Sequence, residues 1–211
     1  GELNGESLRL SEDERIYLSG KIDRLDTVQE ENKLYVKILD YKSSEHKFDL
    51  VGLYHGLSLQ LIVYMKYALD DQKRKHPDKE VEPAAMLYYQ MADPWIDCKE
   101  ELPQEEIREK IFAELKTSGI VNASQAVLNS LDRDLEQGNS TVIPVGKKKD
   151  GSLSATSKVF TREEFEILSQ YATKKIKSLG GEILDGNIRL QPYERDKKSA
   201  CEYCPFQAVC G

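Results

Sequence analysis

In the stretch ILDYKSS, residues 38–44, an apolar run ends in Asp40, and Lys42 follows two places later. Side chains at i and i+2 of a strand project to one face. A carboxylate and an ammonium therefore lie side by side, continuing a face made by Leu34, Val36 and Ile38. Charge at the end of a buried face is costly unless something uses it. Asp23 lies upstream, near the end of a second alternating segment. Two carboxylates brought together repel unless a cation sits between them. Oxygen ligands suit Mg²⁺ or Mn²⁺, and Mg²⁺ is commonly held by one or two carboxylates with waters and substrate phosphate. Such a cation polarises a phosphoryl oxygen and acidifies a water, while a neighbouring lysine orients that water or stabilises charge on the phosphate. The expected chemistry is phosphodiester hydrolysis.

The spacing by itself is weak. Asp71–Lys73, Asp97–Lys99 and Asp196–Lys198 repeat it and read as solvated surface pairs. Asp40 differs in context: a buried strand precedes it, an aspartate ends a strand upstream, and a helix follows.

Those elements are read from periodicity. Residues 16–23 alternate as a strand, residues 30–33 form a polar turn, and residues 34–42 alternate again, so the two strands are expected to pair as an antiparallel hairpin. Residues 1–14 give little signal. Residues 55–70 follow helical spacing, with Leu57, Gln60, Leu61 and Tyr64 on one face, before a charged loop over residues 71–79. Residues 84–91 read as a strand. Helices are expected from Pro103 to near Gly119, from about Asn122 to Gly138, and from a capping box at Thr161–Glu164 to the pair Gly180-Gly181. Residues 146–158 form a basic, Gly/Ser-rich loop expected to be mobile. Strands first and helices after place the chain in the α/β or α+β class with one mixed sheet.

The 211 residues are 39% hydrophobic and 32% charged, an ordinary globular composition. No apolar run approaches a membrane span, and four cysteines do not make a secreted disulfide scaffold, so a cytoplasmic address is expected. The net charge of −7 argues against phosphate binding by charge alone, although a local basic patch or a divalent metal reverses the field where it counts. The chain opens without Met and closes on Cys210-Gly211, which leads us to expect a fragment of a longer protein.

GKIDRLD (residues 20–26), LDYKSS (residues 39–44) and QLIVY (residues 60–64), in this order and spacing, resemble the RecB-like branch of the PD-(D/E)xK nucleases. PAAMLYYQMADP, GEILDGNIRLQPYE and CEYCPFQAVCG extend the similarity to the nuclease region of the AddB-like helicase–nuclease subunits. The resemblance implies a restriction-endonuclease-like α/β core, a mixed central sheet flanked by helices, over residues 1–195, followed by a cysteine tail over residues 196–211. It implies that Asp23, Asp40 and the Tyr41 carbonyl hold Mg²⁺ or Mn²⁺, that Lys42 is the catalytic lysine, and that Gln60 and Tyr64 border the site. It also implies an AddA-like helicase partner delivering single-stranded DNA from an unwound duplex, for repair of double-strand breaks by recombination. The family often supplies a further acid or histidine from before the first strand. Glu6, Glu12, Asp13 and Glu14 are the groups on hand, and nothing singles one out. A non-catalytic DNA-binding module of the same fold and a stand-alone RecB-like exonuclease are the rival readings, the first disfavoured by the joint presence of Asp23, Asp40 and Lys42.

Cys201, Cys204 and Cys210 crowd the C-terminus with spacing suited to zinc or an iron–sulfur cluster. The resemblance implies a [4Fe–4S] cluster whose fourth ligand lies outside this chain, leaving it incomplete here. Cys98 reads as an ordinary thiol. His46 and His55 lie near the site in sequence and are candidates to meet phosphate, as Lys147, Lys148 and Lys149 are to track DNA. His76, beside Pro77, reads as surface.

Overall fold

The computed structural model describes residues 2–44, 46–91, 94–97, 101–195 and 198–210. Its centre is a five-stranded mixed sheet in the order β3 (Arg24–Glu30), β4 (Lys33–Lys42), β5 (Glu80–Gln90), β6 (Ser118–Asn122) and the short strand Val159–Phe160. β3–β4 and β5–β6 are antiparallel, whereas β4–β5 are parallel. A parallel neighbour requires a crossover. The crossover carries α1 (Leu50–Tyr54) and α2 (Gln60–Lys75).

β4 is buried on both faces. Leu34, Val36 and Ile38 face a core with Leu61, Ile62, Met65 and Phe165, while Tyr35 and Leu39 face a second core with Val127, Leu128 and Val145. The first core is covered by α2 and α5 (Arg162–Leu184), the second partly by α4 (Gln125–Leu131). Pro83, inside β5, has no N–H to give the ladder. The β4–β5 register slips there, Val36 opposing Pro83 and Lys37 opposing Ala85.

The expected hairpin is corrected in its partner. The turn at residues 30–33 stands, but β4 pairs with β3, while β2 (Arg15–Lys21) pairs with β1 (Glu2–Arg9) in a separate ribbon. Asp23 lies in the bend between β2 and β3.

The expected helix over residues 55–70 begins later. Gly56 at φ +89° and Ser58 at φ +56° break the chain between α1 and α2, so Leu57 is not on the helix. α2 continues to Lys75, supported by a Lys75–Asp71 ion pair at 2.6 Å, where a loop was expected.

α3 (Gln104–Glu114) stops before Gly119, and residues 118–122 are strand, not helix. Gly119 packs so closely on β5 that a Cβ there would meet the Met86 carbonyl oxygen at 2.1 Å. α4 is also shorter than expected. The capping box at Thr161 is present, with Glu164 N donating to Thr161 Oγ1 at 3.2 Å and Thr161 N to Glu164 Oε2 at 2.7 Å. Gly180-Gly181 does not end α5. Gly180 instead makes room for Ile16 of β2. Residues 146–158 contain backbone hydrogen bonds, Ser154 N to Gly146 O at 2.8 Å among them.

Candidate active site

Asp40 ends the first-core face of β4 and is 4% exposed. Lys42 Nζ lies 2.5 Å from Asp40 Oδ2, an ion pair outside hydrogen-bond angles. Asp40 Oδ2 is therefore a buried carboxylate oxygen that accepts no hydrogen bond. A buried carboxylate is unfavourable without a cation beside it, and Lys42 supplies one.

Lys42 is held from the other side. Its Nζ donates to Gln60 Oε1 at 2.9 Å, and Gln60 Nε2 donates to Tyr64 OH at 3.1 Å. Gln60 is the first residue of α2, and Tyr64 lies one turn on, so one helix face presents both. Gly20 of β2 lets the Tyr64 ring approach: a Cβ there would sit 2.8 Å from the Tyr64 hydroxyl.

Asp23 reaches the same strand end. Its Oδ2 accepts the Tyr41 amide at 3.0 Å. The N–H and C=O of one strand residue point to the same edge, so the Tyr41 carbonyl is directed to the Asp23 side. The sequence-predicted residues Asp23, Asp40, Tyr41, Lys42, Gln60 and Tyr64 thus gather where β4 leaves the sheet. The donor set, two carboxylates and a carbonyl, fits a hard divalent cation by its chemistry.

Tyr88 and His46 complete the surroundings and were not singled out together in the sequence. Tyr88 is directly across from Asp40 in the β4–β5 register. Burial first, then the negative charge of Asp40, pushes its phenol up to about 12, so it stays neutral. Lys42 Nζ lies 5.3 Å from the centre of the Tyr88 ring, and His46 packs edge-on against that ring at 4.6 Å. Burial, then repulsion by Lys42, lowers the His46 pKa, while Asp40 opposes the shift. Strand geometry puts Tyr88 on the face of Met86, but the continuous apolar run of β5 does not name its partner strand.

The sequence matches the family model of the PD-(D/E)XK nuclease superfamily over residues 2–211. The chain belongs to the PD-(D/E)XK nuclease superfamily. Within this superfamily it is similar to curated proteins named as the B subunit of an ATP-dependent helicase/deoxyribonuclease. That of Desulforamulus reducens is 36% identical over 209 residues, 99% of this chain and 18% of the relative. That of Lachnoclostridium phytofermentans is 40% identical over 207 residues, 94% of this chain and 18% of the relative. That of Oceanobacillus iheyensis is 33% identical over 204 residues, 97% of this chain and 17% of the relative. The chain thus spans less than a fifth of the length of these relatives.

Other candidates of the nuclease domain fall elsewhere. Glu12, Asp13 and Glu14 sit in the turn joining β1 to β2, at the end of that ribbon remote from Asp23, since Arg15 pairs with Arg9 and Lys21 with Glu2. Glu6 pairs with Leu18 on β1. His55 packs at a tilt against Tyr193, ring centres 4.6 Å apart, and His76 caps the end of α2. Cys201 lies within a short 3₁₀ turn, Cys204 follows its end, and Cys210 ends a four-residue helix; all three are free thiols. Among the described residues no three of His, Cys, Asp and Glu converge on a metal-sized site. The terminal thiols therefore do not fit an assembled cluster. Cys98 lies outside the described residues. Among those described, no helix is long and apolar enough to cross a membrane.

Proposed function

We propose that this chain is the metal-dependent deoxyribonuclease domain of a bacterial helicase–nuclease, hydrolysing single-stranded DNA delivered by an AddA-like helicase partner. The names of the similar proteins support the setting. The observation that carries the chemistry is the buried Asp40 carboxylate ion-paired with Lys42 at the end of β4, beside Asp23 on the Tyr41 amide.

Asp23, Asp40 and the Tyr41 carbonyl would hold Mg²⁺ or Mn²⁺, which, when bound, supplies Lewis-acid polarisation of the scissile phosphate and a more acidic water. Lys42 places a positive charge where negative charge gathers on the phosphate, or holds the attacking water. Gln60, fixed by Tyr64, limits where Lys42 can point. Tyr88 closes one side with a neutral ring, excluding water from the Asp40 carboxylate. The terminal cysteines take no part in this chemistry.

A binding-only module would not need a carboxylate and a lysine held in this geometry. The test is cleavage of linear single-stranded DNA by the full-length protein with its partner, in Mg²⁺, in Mn²⁺ and after chelation. Cleavage that stops on chelation and returns with either metal supports the reading. Equal cleavage in the chelator would overturn it.

A further inference from the structure

A cavity of about 770 Å³ opens beside the site. His46 and Tyr88 line it, and Tyr88 is also the ring against Lys42, so the cavity and the Asp40–Lys42 pair share a wall. Its other walls are the start of α1, residues 116–120 leading into β6, residues 144–146, and Lys158 with Phe160.

The charge of this cavity runs against the charge of the chain. Three lysines line it, Lys47, Lys116 and Lys158, against two acids, Asp49 and Glu114. Asp49 is already committed: it accepts the Val51 amide at the start of α1 and pairs with Arg195 at 2.9 Å. Lysines thus outnumber acids on its walls, in a chain of net charge −7.

Lys116 is half-buried and makes no hydrogen bond or ion pair with any described residue. Burial lowers its pKa, and Asp132, beyond ion-pair distance, only partly offsets this. A desolvated ammonium without a carboxylate is unfavourable until an anion reaches it. Lys158 has an exposed side chain on a fixed backbone: its N–H donates to Pro144 O at 2.8 Å, and its carbonyl accepts from Val121 N at 3.0 Å. Phe48 and Phe160 add half-buried aromatic surface. Lysines beside aromatic rings are what an unpaired nucleic-acid strand uses, phosphates on one and bases on the other.

We propose that this cavity is the path of the substrate strand, and that Lys116 and Lys158 hold two of its phosphates on the Tyr88 side of Lys42. The proposal rests on the nuclease reading above and adds the route and the residues that line it. Lys147, Lys148 and Lys149 do not line the cavity, so the basic loop contributes Lys158 instead. The contacts are to phosphate and carry no sequence preference.

The test uses the full-length protein with its partner. In an Asp40→Asn background, K158C is mixed with oligodeoxythymidylate bearing a bromoacetyl group on an internal phosphorothioate, and the crosslinked peptide is identified by mass. A crosslink at position 158, and none at position 177 in K177C on the exposed side of α5, is expected. With Asp40 intact, K116A/K158A lowers kcat/KM on single-stranded DNA about tenfold at physiological salt, each lysine removing roughly 0.7 from the log–log salt slope. K177A leaves both unchanged. Cleavage by the parent complex without a crosslink at position 158, and with an unaltered salt slope in K116A/K158A, would overturn the path alone. A crosslink in a complex that never cleaves would leave the path standing and remove the nuclease reading.

Discussion

Lys42 and Gln60, eighteen residues apart, share a 2.9 Å hydrogen bond that joins the end of β4 to the first turn of α2. The bond sets the direction of the ammonium without neutralising it, since an amide oxygen is uncharged. The same ammonium lies against Asp40 Oδ2 on its other side. The lysine is therefore held by one neutral hydrogen-bond acceptor and one ion-pair partner, and arrival of a cation at Asp40 would leave Gln60 as its fixed support.

Gln60→Ala should accordingly slow cleavage without unfolding the domain. A hydrogen bond to a charged group contributes about 1.5–3 kcal/mol, so the chemical step should fall by about ten- to a hundredfold. Single-turnover rates with saturating DNA, set beside thermal melting, read both effects. A melting point that drops in step with the rate would mean Gln60 serves packing alone.

Two glycines distinguish a rigid neighbour from a yielding one. A Cβ at Gly119 would meet the Met86 backbone oxygen, which cannot move without distorting β5. A Cβ at Gly180 would meet the tip of the Ile16 side chain, which can rotate. Gly119→Ala should destabilise by about 3 kcal/mol or more, and Gly180→Ala by about 1 kcal/mol. Urea unfolding of the two variants checks the order; equal midpoints would contradict the packing described for β6.

His46 reports the field of the site. In metal-free protein it should titrate below its ordinary value of 6.5, because burial and Lys42 both disfavour the imidazolium. Lys42→Ala should move the value up, and Asp40→Asn should move it further down by removing an attractive charge. The linkage has a definite sign: as pH falls through the ordinary histidine range, the unfolded chain takes up the proton before the folded one does. Stability contributed by neutral His46 is therefore complete above 6.5 and declines below it. Proton NMR of the imidazole through a titration gives all three values. A shift in the same direction in both variants would contradict the placement of His46 between those charges.

How much of this could be read from the chain depends on how local each relationship is. Asp40 and Lys42 share a face because they are two apart on a strand, and Gln60 meets Tyr64 because they are four apart on a helix. Both follow from backbone periodicity. β4 was legible because Leu34, Val36 and Ile38 alternate along one face that ends in the charges of Asp40 and Lys42. β3, RLDTVQE, is largely exposed and carries no such pattern, so its place in the sheet fell to the wrong segment. β6 has five residues, too few to display a period against a preceding helix. Tyr88 reaches Asp40 only through the β4–β5 register, which depends on a crossover and on the slip at Pro83. Lys116 reaches the cavity only through the antiparallel return of β6. Neither follows from spacing.

In the proposed reaction, hydrolysis is organised on Asp40 and Lys42. The most direct measurement is single-turnover cleavage of linear single-stranded DNA in Mg²⁺ by the full-length complex, beside Asp40→Asn and Lys42→Ala, with melting curves for each. The account predicts that both variants remain folded and lose cleavage by at least about a thousandfold, on the order of 4 kcal/mol of transition-state stabilisation. Folded variants that cleave at the parent rate would contradict it.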